Sequence, residues 1–259
     1  MTTATAVPRR SVVEQVMGLP VSVLVRGADA RSDETARVAA RVHAELRAVD
    51  ALFSTWRPDS EISRIGRGEL AVERAHLDVQ QVLRDAERWR ELTEGWFDVH
   101  LTGPDGAHRL DPSGLVKGWA VERAARHLDD LPDDWVVNAG GDVVVRAAGP
   151  AWRVGVEDPR NRSSVLAVVP LATGAVATSG VAARGQHVQD PRTGAPASGL
   201  LSVTVTGPSL CTADVLATAA LAEGPAGLAR LEAMPGYEAM QVLPDGRLQT
   251  TSGWPVRAA

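Results

Sequence analysis

Two hydrophobic periods divide the chain. From Thr35 to Leu52 apolar residues return at three- and four-residue steps (Ala39, Val42, Leu46, Val49) with Arg and Glu between them, the spacing of one buried helical face. Trp56-Arg57-Pro58-Asp59-Ser60 breaks that pattern with turn formers. A second helix is expected from about Val79 to Leu92, with Asp78 as N-cap, Gln81 three residues on, and Gly95 as its stop. Val82, Ala86 and Trp89 define its inner face. A third follows Pro112 and covers about Leu115 to Leu128, with Ala120, Ala124 and Leu128 inward.

After Trp135 the period shortens. WVVN and DVVVRA flank a glycine pair and read as a hairpin; WRVGVE, LAVVPL, AVATS and LSVTVT read as further strands. LPVSVLVR, from Leu19, is an earlier strand with loose alternation. Gly180 to Gly199 is expected to be mostly loop. Ala213 to Ala222 forms an apolar helix stopped by Gly224, and a short helix surrounds Leu228. The last hairpin, YEAMQVLPDGRLQT, turns at Asp245-Gly246. Helices followed by strands give an α+β class, with antiparallel sheet regions and packed helices. No fixed-period repeat or flexible linker divides the chain. Residues 1–10 are expected to be a flexible leader, and 11–259 a single domain.

Composition narrows the function classes. With a formal charge of −5, bulk electrostatics do not favour a nucleic-acid partner. Cys211 is the sole cysteine, so no intrachain disulfide and no cysteine-rich metal knuckle is available. No apolar run approaches the length of a membrane span. The first residues lack the apolar core of a secretory signal, so a cytoplasmic location is expected.

Four segments carry candidate chemistry. Asp214 and Thr218 lie four apart on the apolar helix and share one side of it; carboxylate and hydroxyl oxygens suit a hard cation, whereas the plain alternative is an acid favouring the helix dipole. Asp111-Pro112-Ser113-Gly114 starts a helix whose first amides could meet an anion. Lys117 is poorly placed there on dipole grounds unless a phosphate or carboxylate lies opposite; otherwise it is a surface lysine after a capping turn. Asn138-Ala139-Gly140-Gly141-Asp142 reads most simply as a turn, and a ligand approaching its backbone is the alternative. His187 stands in a polar loop with Asp190, Arg192 and Thr193, where an imidazole can act as acid or base or merely belong to a turn. Of the seven tryptophans, Trp56 is the one placed to stack on a flat ring.

Taken in order, these segments resemble the ApbE family of FAD:protein FMN transferases across nearly the whole chain. The resemblance is carried by Met17-Gly18 before a strand, DALFSTWRPDSEISRIG (50–66), EGWFDV, LDPSGLVKGWAVERA, VVNAGGDV, WRVGVEDP, AVATSG, HVQDPRTG and ADVLATA. It implies transfer of the FMN half of FAD to a threonine or serine of a partner protein, with release of AMP. It further implies Mg2+ held by Asp214, Thr218 and the backbone of Gly114. FAD contacts are implied at Met17, Trp56, Trp96, Phe97, Asp98, Asp111 and Lys117, and around His187 and Val188. His187 is implied as the base and Lys117 as a source of positive potential. The chain departs from the family pattern in a short Phe97–Asp111 segment, in Gly66 where asparagine is usual, and in Gln189. The same site could hydrolyse FAD to FMN and AMP, or bind FAD without turnover.

Overall fold

The computed structural model describes residues 7–103, 106–181 and 188–255. In chain order the elements are β1 (Arg9–Val16), β2 (Leu19–Arg26), α1 (Asp33–Phe53), α2 (Glu61–Gly66), α3 (Leu77–Leu92), β3 (His100–Thr102), β4 (His108–Leu110) and α4 (Ser113–Ala125). The second half contains β5 (Asp134–Ala139), β6 (Asp142–Arg146), β7 (Trp152–Asp158), β8 (Asn161–Leu171), β9 (Thr173–Gly180), β10 (Ser202–Gly207), α5 (Leu210–Glu223), α6 (Gly227–Glu232), β11 (Glu238–Val242) and β12 (Leu248–Thr250). Eight strands form one sheet in the order β1-β2-β5-β6-β9-β10-β11-β12. Each neighbouring pair is antiparallel. The α+β class follows, and no described helix is long and apolar enough to cross a membrane.

The period of two decides what each sheet face meets. Val23, Val137, Val144, Ala177 and Val205 join the large core under the helices, with Leu46, Val121 and Leu216 packed against them. The alternate positions Val143, Val145 and Val176 face the other way, into a smaller core with Trp152, Val154 and Val169 of the β7–β8 hairpin. Helices therefore cover one face and a two-stranded ribbon covers part of the other.

Most expected elements stand where the periodicity put them, and the differences have local causes. β1 begins at Arg9, inside the stretch expected to be leader. It is an edge strand with only Val16 buried, so RRSVVEQV carries little apolar signal. Met17 and Gly18 join it to β2 as a two-residue turn, both with positive φ (56° and 72°), the geometry a right-twisted hairpin favours. The short α2 was not expected; Ser60 caps it by accepting from Ser63 N at 3.1 Å. α3 is capped by His76, whose Nδ1 accepts from Asp78 N, and not by Asp78, whose carboxylate is drawn to Arg123. Gln81 turns forward to Asp85 rather than back to the helix end. α5 starts at Leu210, three residues earlier than expected, because Ser209 accepts from Thr212 N. Gly224 ends it with φ 79°.

Candidate active site

A cavity of about 610 Å3 opens where the first turns of α4 and the middle of α5 meet the sheet. That size lies in the range of small-molecule sites. One wall is the sheet face away from the helices, with Ser22, Leu24, Val136 and Asn138. The β7 edge residues Arg153 and Glu157 form part of the rim.

The loop after α3 supplies the next wall. Glu94 (φ 55°) and Gly95 (φ 82°) turn the chain sharply, and Trp96, Phe97 and Asp98 follow into the cavity lining. Phe97 is buried, its amide donating to Thr93 Oγ1. Trp96 carries the Arg192 guanidinium 3.8 Å from its ring centre, a cation–π contact that fixes the indole plane. Asp98 accepts from Arg90 Nε at 2.9 Å and from His100 N at 2.7 Å, so its carboxylate braces the loop.

The start of α4 is built by Asp111, which accepts from Ser113 N at 3.0 Å and from the Ser113 hydroxyl. Gly114 follows, so close to α5 that a Cβ there would stand 3.3 Å from Thr218 Oγ1 and from the Phe97 ring. Its backbone and the Thr218 hydroxyl are thus neighbours across two helices. Thr218 Oγ1 also lies 3.2 Å from Ser179 Oγ. Asp111, Gly114 and Thr218 all line the cavity.

Lys117 meets the condition that its position demands. Its Nζ lies 2.5 Å from Asp142 Oδ2 and 3.2 Å from Asp214 Oδ1. Both carboxylates are buried, each 1% exposed. Asp142 Oδ1 accepts from Thr178 N at 3.0 Å, and Asp214 Oδ2 accepts from Gly118 N at 3.0 Å. That last bond needs glycine: a Cβ on residue 118 would sit 2.8 Å from the Leu210 carbonyl oxygen and 2.9 Å from Cys211 Cα. Burial pushes the Asp214 carboxyl up to about 7 despite the Lys117 ammonium, and Asp142 pushes it the same way. Burial also raises the neighbouring Cys211 thiol to about 12, which keeps it protonated and inert as a nucleophile.

Of the expected site residues, Trp96, Phe97 and Asp98, then Asp111, Gly114 and Lys117, and lastly Val188, Asp214 and Thr218 meet in this one cavity. Met17 sits in the β1–β2 turn, packed against the core, and is not part of the cavity lining. Trp56 is 94% exposed and also lies outside it. His187 lies outside the described residues. Sequence reasoning did not single out Asp142 as a site group, because an acid after Gly-Gly reads as turn chemistry. Strand parity was the available signal: Asp142 shares the face of Val144, which points under the helices.

No cluster of three or more His, Cys, Asp or Glu side chains is arranged for a metal among the described residues. A cation here would rely on mixed oxygen donors. Asp214, Thr218 and the Gly114 backbone fit a hard cation in kind, since carboxylate, hydroxyl and carbonyl are the donors such ions take. Asp214 Oδ1 and Asp142 Oδ2 are both buried, and among the described residues the polar group that faces each of them is the Lys117 ammonium.

Comparison with known proteins places this architecture. The sequence model of the ApbE family matches residues 17–105 and 100–241. A FAD:protein FMN transferase of Vibrio cholerae is 29% identical over 238 residues, covering 69% of this chain and 71% of its own. One from Salmonella typhimurium is 28% identical over 275 residues, covering 82% and 78%. The crystal structure of the Thermotoga maritima ApbE protein superposes with a TM-score of 0.81 at 22% identity, over 95% of this chain and 98% of that one. The Vibrio cholerae flavin transferase structure gives 0.80 at 24%, over 96% and 98%. At those identities the structural likeness speaks for the fold.

Proposed function

The chain belongs to the ApbE family, and on that premise we propose that it is a magnesium-dependent FAD:protein FMN transferase. The acceptor is a threonine or serine hydroxyl of a partner protein. Its oxygen attacks the FMN-side phosphorus of FAD, a phosphoester forms, the pyrophosphate bond breaks, and AMP leaves. The hydroxyl proton passes to a base, for which His187 is the candidate.

The observation that carries this reading is convergence. Side chains from the Trp96–Asp98 loop, from α4 and from α5, from Trp96 to Thr218 in sequence, line a single cavity, and they are positions that the resemblance assigns to FAD and its cation. Each has work suited to its chemistry. Trp96, held by Arg192, offers a flat apolar surface to a flavin or adenine ring. The first amides of α4, which begins at Ser113 directly after the Asp111 turn, would point positive potential at phosphate oxygens. Lys117, paired with Asp142 and Asp214, brings its ammonium to the same wall, where negative charge develops as the pyrophosphate opens. Asp214, Thr218 and the Gly114 carbonyl would hold the magnesium, which when bound neutralises charge on the transferring phosphoryl group and on the departing AMP. A serine or threonine hydroxyl is a weak nucleophile, and a neighbouring imidazole at position 187 would take its proton.

The test combines FAD, Mg2+ and a candidate acceptor domain, read by intact protein mass and by AMP release. An FMN adduct on the acceptor with one AMP per adduct is expected, and His187→Ala should lower the rate about a hundred-fold or more. FMN and AMP in equal amounts without an adduct would convert the reading to FAD hydrolysis. FAD bound yet intact would leave only a flavin-binding protein.

A further inference from the structure

The β7–β8 ribbon leaves a strand edge open beside the cavity. β7 pairs with β8 on one side, and the ribbon joins no other strand among the described residues. Along a strand, successive side chains point to opposite faces. Trp152 and Val154 turn into the smaller core, and Arg153 and Gly155 lie on the opposite face, yet all four line the cavity. A cavity that touches both faces of one strand runs along its edge. Of β8 only Arg162, next to the turn, borders it. The edge facing the cavity is therefore the one that β8 leaves free.

The register tells which peptide groups point there. Arg153 stands opposite Pro170, which has no N–H to give. In an antiparallel ladder, residue pairs that exchange both hydrogen bonds alternate with pairs that exchange none. A proline cannot belong to the first kind, so Arg153↔Pro170 and, two residues on, Gly155↔Val168 are of the second. The N–H and C=O groups of Arg153 and Gly155 thus point away from β8 and into the cavity, about 7 Å apart along the strand. Among the described residues no other backbone group bonds to them. A bulge at Val156–Glu157 ends the run, because it re-aims the strand.

Two donor–acceptor pairs at the strand repeat match an extended peptide, whereas the edge of a flat ring engages one such pair. A second copy of this chain would need a longer, outward-facing edge, and this one is set into a cavity wall and stops at the bulge. We propose that the acceptor protein docks by laying an extended segment along the free edge of β7, hydrogen-bonded to Arg153 and Gly155, so that its serine or threonine reaches the cavity. This rests on the FMN-transferase reading, which requires a segment carrying that hydroxyl to enter the cavity that takes the FAD phosphates. Strand addition suits the task. Main-chain bonds hold a segment in register whatever its side chains, and register sets which residue meets the phosphorus.

The experiment uses an acceptor domain that the wild-type enzyme labels with FMN, and compares Gly155→Pro with Gly155→Ala in the full chain. Proline removes the Gly155 N–H, leaves the β8 ladder whole and is tolerated at such an edge position. Alanine is the conservative counterpart: it retains the N–H, and its methyl would lie in ordinary contact with Val165, 3.6 Å away. Gly155→Pro should raise the KM for the acceptor about ten-fold or more, while the KM for FAD moves less than about three-fold. Gly155→Ala should hold the acceptor KM within that smaller margin of wild type. An acceptor KM for Gly155→Pro inside the same margin overturns the proposal. So does an FAD KM that rises as far as the acceptor KM, which would give the edge to FAD. An alanine variant as impaired as the proline one also overturns it, because space and not the N–H would then be decisive. If Gly155→Pro does not fold, backbone amide exchange of the wild-type enzyme decides. With FAD present, adding the acceptor domain should slow exchange at Arg153 and Gly155 about ten-fold or more; unchanged exchange, or equal slowing by FAD alone, overturns the proposal. If the wild-type enzyme labels no acceptor, the transferase reading itself falls and this proposal with it; labelling that persists with an unaltered acceptor KM overturns only the docking mode.

Discussion

The β5–β6 hairpin carries an ion cluster at each end, and the two are built to opposite rules. At the open end Asp134 is paired with Arg26 at 2.7 Å through Oδ2. Its Oδ1 accepts from the amides of Ala148 and Gly149. Arg26 in turn lies 4.1 Å over the Trp152 ring. Charges match one to one and every carboxylate oxygen is engaged. Burial alone would raise the Asp134 carboxyl, but Arg26 and the two amides outweigh it and hold it below the usual range. At the turn end one ammonium serves two carboxylates, and Asp214 is pushed up instead of down. The first cluster is a staple joining β2, β5 and the loop before β7. Among the described residues the second sets two buried carboxylates against one ammonium in a cavity wall, an arrangement that costs stability and is receptive to a cation. Unbalanced charge in a lining wall distinguishes a working site from a fastening.

The comparison can be broken most forcefully at Asp214. Changing it to Ala should lower magnesium-dependent AMP release by about a hundred-fold or more, since the carboxylate is the one charged donor of the cation site. The melting temperature should stay close to wild type, because Lys117 retains Asp142 and a costly buried anion is gone. Comparable rates in variant and wild type would refute the assignment. Asp134→Ala should do the reverse. Breaking that half-sheltered pair should cost about 2 kcal/mol of stability, less than a fully buried pair loses, read as a lower urea midpoint at unchanged slope. The magnesium concentration giving half-maximal AMP release should not move.

The finest cut is one residue away. Asp133, buried beside Asp29, is raised above its ordinary value, by burial first and then by the Asp29 carboxylate. A carboxyl whose folded-state affinity for protons exceeds its unfolded one favours folding at low pH. That advantage is lost as pH climbs from the ordinary aspartate value of about 4 through the raised folded value. Asp133→Asn should therefore gain melting temperature over wild type as pH rises through this window, and the gain should level off above it. A flat difference between variant and wild type from pH 4 to 8 would mean that the environment of Asp133 does not disfavour its ionised form.

How much of this was legible in the sequence follows from how local each signal is. α1 and the α5 core reveal themselves by apolar spacing, since their burial is decided within the helix. β1 does not, because an edge strand of Arg, Ser, Glu and Gln is held by its partner's backbone and not by a core of its own. The pairing of Lys117 was half legible: the helix start showed that a carboxylate or phosphate had to lie opposite. Which carboxylates answer depends on Asp142 and Asp214 meeting across the sheet and α5, a contact no local spacing encodes. Trp56 illustrates the converse. An aromatic in a turn reads as a ring platform; the Trp56 side chain is almost wholly exposed here and lies outside the cavity lining, to which Trp96, the other tryptophan expected at the site, belongs.

Gly118 sets the limit on how this pocket can be redesigned. The absence of a side chain there lets α4 lie against the α5 backbone, and the resulting spacing brings Lys117 and Asp214 within reach of each other. A methyl group at that point would act as a shim, parting the two helices and detuning the distance between ammonium and carboxylate without touching either. Substrate preference can be re-engineered along the loop and the β7 rim, but the gauge that spaces the charged wall is an empty position, and it leaves an engineer no alternative residue to try.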